Sequence, residues 1–334
     1  MRNVVLIPGD GIGPEVTRAA CRVIAATGVP VDWEVVEVGT KALEAHGDPL
    51  PPEAVERIRE CGVALKGPVT TPVGAGFPSV NVALRKRLDL YVNLRPVRSI
   101  PGVPGARDSV DLVIIRENTE GLYVGIEREP RAGVVEAVRR ITAGASLRIA
   151  RFAFMYAAHN GRRSVTAVHK ANILKKSDGL FLDCARRVAA EYPTIAYRER
   201  IVDAACLDLV LDPHRHDVLL CPNLYGDIIS DLAAGLVGGL GLVPAANLGD
   251  GVAVFEAVHG SAPDIAGKGI ANPTALILAG AMLLTHLGEA EAGRAIEAAV
   301  VRVYREGKVL TPDLGGTSTT EGFAEAVIAA LGRA

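Results

Sequence analysis

The chain has 334 residues, 49% of them hydrophobic, and a formal charge of −2 at pH 7. That is enough apolar material for a large core and, at this length, for two domains, while the near-neutral balance argues against nucleic acid or an acidic membrane surface as a partner. Cys21, Cys61, Cys184, Cys206 and Cys221 are scattered and never form a C-x-x-C pair, so they read as reduced thiols, mostly core filler. No stretch reaches the roughly 18 uninterrupted apolar residues of a membrane span. The four-residue apolar run before Pro8 is too short for a secretory leader. The expectation is a cytoplasmic chain.

In chain order, residues 4–7 (VVLI) read as a buried strand, and PGDGIGPEV as a turn into a helix over 16–26. Gly9, Gly11 and Gly13 are spaced G-x-G-x-G, so this is no dinucleotide fingerprint, which requires G-x-G-x-x-G after a strand. Turn chemistry leaves structural and ligand-adjacent readings of these glycines equally open. An alternating strand over 31–38, a helix over 52–61 and a strand over 63–66 ending at Lys66 give α/β order. The long Gly-, Pro- and Thr-rich loop that follows is a candidate ligand loop, because α/β proteins bind ligands at the carboxyl ends of their strands.

Ser79 is the expected N-cap of a helix over 79–88 that carries Arg85. Arg95 stands near the end of the next extended run, and Arg116 ends the strand LVIIRE. Guanidiniums so placed suit a clamp for a polyanionic small molecule. Arg87 and Arg98 answer the same description, and solvated surface charge is the competing reading. Residues 101–107 (PGVPGAR) read as a loop that accompanies a domain crossing. Tyr123 lies in ENTEGLYVGIE, a helix is expected over 143–160, and SVTAVHK is a strand that delivers Lys170 at its carboxyl end.

The stretch 201–231 contains Asp203, then a buried strand over 217–221, then a helix on which Asp227 and Asp231 lie one turn apart on one face. Like charges so placed repel by a few tenths of a kcal/mol unless a cation sits between them. Hard oxygens with no neighbouring Cys or His suit Mg²⁺ or Mn²⁺, although complementing the helix dipole is the plainer explanation of such a pair. His214 and His216 sit in a polar turn and are expected at the surface. Helices over 273–286 and 289–304 follow, and Ser318 with Glu321 reads as a capping box for the last one. There is no internal repeat.

The strings IPGDGIGPE, KGPVTTP, LRKRLDLYVNLRPV, RENTEGLY, VHKAN, NLYGDIISDLAAGLVGGLGL and FEAVHGSAPDIAGKGIANP, in this order along nearly the whole chain, resemble the β-decarboxylating dehydrogenase family. Its members act on isocitrate, 3-isopropylmalate, homoisocitrate, tartrate or D-malate. The resemblance implies an isocitrate/isopropylmalate dehydrogenase-like three-layer α/β/α fold with two domains and no Rossmann fingerprint. Residues 1–97 plus 241–334 would form a large cofactor-binding domain, and 98–240 a small domain with the metal ligands and dimer contacts. Asp203, Asp227 and Asp231 would ligate Mg²⁺ or Mn²⁺. Arg85, Arg95 and Arg116 match the carboxylate clamp, and Tyr123 and Lys170 the acid and base pair. Asp203 and Lys170 would come from the partner subunit, making a homodimer with shared active sites the minimal unit, with further assembly left open.

The implied chemistry is deprotonation of the substrate hydroxyl with help from Lys170, hydride transfer to the nicotinamide, loss of CO₂ and protonation of the vacated carbon by Tyr123. Ser79 and Asn81 match the Ser-x-Asn of members that take isocitrate, and can hydrogen-bond its γ-carboxylate beside a helix N-terminus. An isopropyl group would leave both unpaired, whereas homoisocitrate differs by one methylene and remains the near alternative. Thr71, His259, Gly260, Ala262, Asp264, Ile265 and Asn272 match the cofactor site. Asp264 and Ile265 stand where NADP-using members tend to have Lys and Tyr; a carboxylate accepts from a free ribose and repels a 2′-phosphate, so NAD is implied. The alternatives from other classes are a metal-dependent binding protein and a silent regulatory subunit. Retention of Tyr123, Lys170 and all three aspartates argues against the latter.

Overall fold

A computed structural model describes residues 2–72 and 77–332. The chain begins with β1 (Arg2–Ile7), α1 (Gly13–Ala26), β2 (Val31–Val35), α2 (Thr40–His46), α3 (Pro52–Cys61), β3 (Val63–Lys66) and α4 (Val80–Arg87). It continues through β4 (Val92–Arg98), β5 (Asp111–Glu117), β6 (Gly121–Arg131), β7 (Val134–Arg140), α5 (Ala143–His159), β8 (Ser164–His169) and α6 (Ser177–Ala189). Then come β9 (Ala196–Ile201), α7 (Val202–Leu211), β10 (Val218–Cys221), α8 (Asn223–Leu236), β11 (Pro244–Leu248), β12 (Ala253–Ala257), α9 (Thr274–His286), α10 (Ala290–Glu306) and α11 (Thr320–Leu331). Two compact units result: Met1–Leu88, Arg98–Ser109 and Ala234–Ala334 form the first, Asp89–Val97 and Val110–Ala233 the second.

In the first unit the strands run in the order β2-β1-β3-β12-β11, parallel except for the antiparallel β11–β12 pair. Every residue of β3 and β12 is buried. Because successive side chains point to opposite faces, both faces of the sheet are covered. Helix α9 packs on β3, β11 and β12, α3 packs on β1 and β3, and α1, α9, α10 and α11 pack on one another. Helix α1 starts at Gly13, earlier than the apolar pattern indicates, because Pro14 in its first turn is preorganised for helix.

In the second unit the order is β4-β5-β10-β8-β9, with β5, β10, β8 and β9 parallel. Helix α5 packs on β5, β8 and β10, burying Ile149, Ala153 and Phe154, while α6 and α7 pack on β8 and β9. The β6–β7 hairpin forms a separate two-stranded ribbon. Its pattern is invisible in the sequence because most of its residues are exposed and carry no apolar period.

Two expectations are corrected. Thr319, not Ser318, caps α11, accepting from Gly322 N at 3.0 Å, while the Ser318 hydroxyl turns to Thr319 O. Glu321 therefore falls one position short of a capping box and pairs with Arg22. His216 is buried, not at the surface, because the 3₁₀ turn Pro213–Arg215 folds it toward Asp208 on α7; His214 is exposed. Of the ligand-loop candidate after Lys66, residues 73–76 lie outside the described residues.

Candidate functional site

In the second unit, parallel strands deliver polar side chains at their carboxyl ends, where such sheets place their sites. Arg116, beside Cys221 in the β5–β10 register, is 1% exposed. Its Nε and Nη2 donate to Asn223 Oδ1 at 3.0 and 2.7 Å, and its Nη1 to Asp227 Oδ1 at 2.5 Å. Only glycine fits at position 226, because a Cβ there would fall 2.6 Å from Arg116 Cγ. Tyr123 donates its hydroxyl to Asp227 Oδ2, and the Arg116 guanidinium stands 5.1 Å from the Tyr123 ring centre. Arg95, also buried, donates Nε to Asn93 Oδ1 at 2.7 Å and Nη1 to Ser230 Oγ at 2.5 Å.

Arg95 also answers the repulsion expected on α8. Its guanidinium reaches Asp231 Oδ1 at 3.1 Å and Asp227 Oδ1 at 3.4 Å, so the chain's own cation sits between the paired carboxylates. Burial pushes the Asp231 carboxyl upward; Arg95 and Arg116 oppose this and the Asp227 charge adds to it, and the carboxyl ends above its usual range. Arg95, Arg116, Tyr123, Asp227 and Asp231 are thus one cluster.

Lys170 and Asp203 form another. The Lys170 ammonium donates to Asp203 in the first turn of α7, and that hydrogen bond holds the Asp203 carboxyl below its usual range. Sequence reasoning missed the support beneath Lys170. Its backbone N–H donates to Asp178 Oδ2 at 2.6 Å, and Asp178, fully buried, also accepts from Arg139 and, at 3.4 Å, from the Tyr225 hydroxyl. Among the described residues no three His, Cys, Asp or Glu side chains gather as a metal cluster. The α8 pair supplies only hard oxygen donors, which fit Mg²⁺ or Mn²⁺.

In the first unit Ser79 caps α4, its Oγ accepting from Val82 N at 3.5 Å and from Thr71 Oγ1 at 3.1 Å. Asn81 Oδ1 is buried with no hydrogen-bond partner among the described residues. Arg85 donates to Glu256 Oε1 at 3.2 Å, and the same carboxylate takes Lys66 Nζ at 2.7 Å and Asn247 Nδ2 at 2.6 Å. Burial would raise the Glu256 carboxyl, but Lys66, Arg85 and the hydrogen bonds outweigh it and hold it well below the usual carboxylate range. Lys66 and Glu256 are register partners on β3 and β12, a neighbourhood that no local pattern announces.

The glycines of the first turn serve close backbone packing. A Cβ at Gly9 would fall 2.1 Å from Pro68 O and one at Gly11 2.0 Å from Ser261 O, and both have positive φ. Asp10 between them accepts from Thr40 N at 2.9 Å and Thr70 N at 2.8 Å. The turn therefore joins the KGPVTTP loop to the HGSAP loop. In the latter, burial holds His259 below its usual range, with Nδ1 3.0 Å from Gly260 O and Nε2 buried without a partner among the described residues. Ala262 has φ +38, and Ile265 N donates to its carbonyl at 3.1 Å. Gly260 and Asp264 are exposed. Asn272 is taken up structurally, donating to Asp313 at 3.1 Å and accepting from Thr274 N at 3.0 Å.

The family model described as isocitrate/isopropylmalate dehydrogenase matches residues 3–327. Mitochondrial isocitrate dehydrogenase [NAD] catalytic subunit 5 of Arabidopsis thaliana is 54% identical over 97% of this chain and 87% of its own. A mitochondrial isocitrate dehydrogenase [NAD] regulatory subunit of Dictyostelium discoideum is 50% identical over 98% of this chain and 91% of its own. The crystal structure of isocitrate dehydrogenase from Methylococcus capsulatus, 52% identical, superposes with a TM-score of 0.96 over 99% of both chains. The curated relatives are mitochondrial by name, which overturns the expectation of a cytoplasmic chain.

Proposed function

We infer, from the premise that the chain belongs to the isocitrate/isopropylmalate dehydrogenase family, that it oxidatively decarboxylates isocitrate to 2-oxoglutarate and CO₂ with reduction of NAD. What carries this reading is identity of about half, over nearly the whole length, to NAD-linked isocitrate dehydrogenase subunits. Arg95 and Arg116, already oriented by Asn93, Ser230 and Asn223, grip substrate carboxylates bidentately with little left to reorganise. Asn81, through its amide Nδ2, and Ser79, through its hydroxyl, donate to the γ-carboxylate. Asp264 accepts from the adenosine ribose.

Asp227 and Asp231, with Asp203 of the partner subunit, would hold Mg²⁺ or Mn²⁺, which supplies Lewis acidity at the substrate hydroxyl and stabilises negative charge on that oxygen. Lys170 of the partner subunit takes up the hydroxyl proton. Tyr123, its hydroxyl fixed by Asp227, returns a proton to the carbon that has lost CO₂. This division requires a second subunit, read here as another copy of the chain in a homodimer. Supporting it, Asp203, Leu207, Val210 and Leu211 share one face of α7, and those three apolar side chains are 52–61% exposed, an exposed apolar stripe that starts at the aspartate to be shared.

The Dictyostelium relative gives a second reading, a regulatory subunit. One assay separates them: NADH formation by the purified chain with isocitrate, homoisocitrate or 3-isopropylmalate, each with Mg²⁺ and with a chelator. The expected result is turnover of isocitrate that the chelator abolishes. Preference for homoisocitrate would overturn the assignment of Ser79 and Asn81, and no turnover of any substrate would favour the regulatory reading.

A further inference from the structure

Where α7 packs over β8 and β9, a cavity of about 500 Å³ is lined by Thr166, Arg198, Arg200, Asp208, Arg215 and His216, a volume suited to a small ligand. None of these residues has a part in the proposed reaction. The acidic members of the lining are already matched. Arg200 grips Asp208 with Nε and Nη2 at 2.6 and 2.8 Å, and Arg186 does the same to Glu199, the other carboxylate there, at 2.7 and 2.9 Å.

The remaining members are matched less completely. Arg198 donates one hydrogen bond, to Arg215 O at 3.0 Å, and has no carboxylate partner among the described residues. Arg215 donates Nε to Asp212 Oδ2 at 3.3 Å and its Nη1 lies 3.5 Å from Asp208 Oδ1, both long contacts on an exposed side chain. Thr166, 1% exposed, buries its hydroxyl without a hydrogen-bond partner among the described residues. His216 buries both ring nitrogens, its Nδ1 without a hydrogen-bond partner among the described residues and its Nε2 in a long contact, 3.5 Å, with Asp208 Oδ2. Buried polar atoms without partners are costly, and their gathering in one cavity calls for a polar occupant. Hydroxyl, imidazole and guanidinium can each donate a hydrogen, and two arginines supply positive charge.

We propose that this cavity binds a small oxyanion, with Thr166 and His216 as its floor and Arg198 and Arg215 as its charged rim. The occupant acts on α7, the helix that also carries Asp203, through Arg200 and Asp208. Carboxylate and phosphate share the required chemistry, so inorganic phosphate and tricarballylate, a tricarboxylate with no hydroxyl to oxidise, serve as probes on the full chain. The readout is the His216 imidazole resonances of the ¹⁵N-histidine-labelled protein, compared with those of a rim variant in which Arg95 and Arg116 are intact.

The expected result is a saturable shift of those resonances by at least one probe, weakened at least tenfold in the Arg198→Gln/Arg215→Gln double variant, which changes only rim side chains. Thr166→Val, which removes the unpartnered hydroxyl at constant shape, melts at a higher temperature without anion and gains less on anion addition. A response to phosphate alone assigns a phosphoryl ligand, to tricarballylate alone a carboxylate, and to both a site for either. No shift with either probe, or an equal shift in the double variant, overturns the proposal and leaves the cavity to water.

Discussion

Two buried carboxylates do work that their neighbours in sequence do not reveal. Asp178 fixes the backbone of Lys170 and is itself matched by Arg139, so the lysine is presented from a rigid turn. Glu256 collects Lys66, Arg85 and Asn247, and thereby aims Arg85. Breaking such a buried network by removing one partner leaves uncompensated charge, so Glu256→Gln should lower stability by about 3–5 kcal/mol in denaturant titration. The pH dependence follows from the direction of the shift. A carboxyl whose folded pKa is depressed stabilises the fold fully above its unfolded value, near 4.5, and that contribution fades as pH falls from there through the depressed folded value. The loss caused by Glu256→Gln should therefore be largest at neutral pH and shrink in acid, and a constant loss from pH 7 to pH 3 would contradict the network.

At the scale of elements, helix termini separate what a motif suggests from what the backbone uses. Ser79 and Thr142 cap α4 and α5, accepting from Val82 N and Ala145 N. At α11 the Ser-x-x-Glu string points to Ser318, yet the extended backbone of Thr319 (φ −77, ψ 162) makes it the residue that caps. Thr319→Ala should cost about 1 kcal/mol, and Ser318→Ala no more than a few tenths, in parallel thermal melts. Equal losses would restore the capping box. The same reasoning applies to α8, where a pair of aspartates resembles ordinary helix surface until Arg95 and Arg116 are seen against it.

At the scale of the whole molecule, the separation of Lys170 and Asp203 from Tyr123, Asp227 and Asp231 has a direct test. If each active site draws on two subunits, mixing inactive Lys170→Met with inactive Asp227→Asn and allowing exchange should recover about a quarter of wild-type activity, since half the dimers are mixed and each has one intact site. Recovery of none, with mixed dimers shown to form, would place the whole site within one chain. The exposed stripe of Leu207, Val210 and Leu211 is the surface such exchange would cover.

The sequence by itself determined the α/β class, the limits of α3 and β3, the cap at Ser79 and the membership of the family, because these depend on local periodicity, turn chemistry and strings of neighbouring residues. It also named Arg95, Arg116, Tyr123, Asp227 and Asp231 as candidates. It could not show that Arg95 lies between the two aspartates, that Glu256 meets Lys66 and Arg85, or that His216 is buried beside Asp208. The β6–β7 ribbon also escaped it, lacking a buried face to impose a pattern. Only the tertiary structure decided these, because each joins groups far apart in the chain, brought together by strand register and helix packing rather than by any local preference.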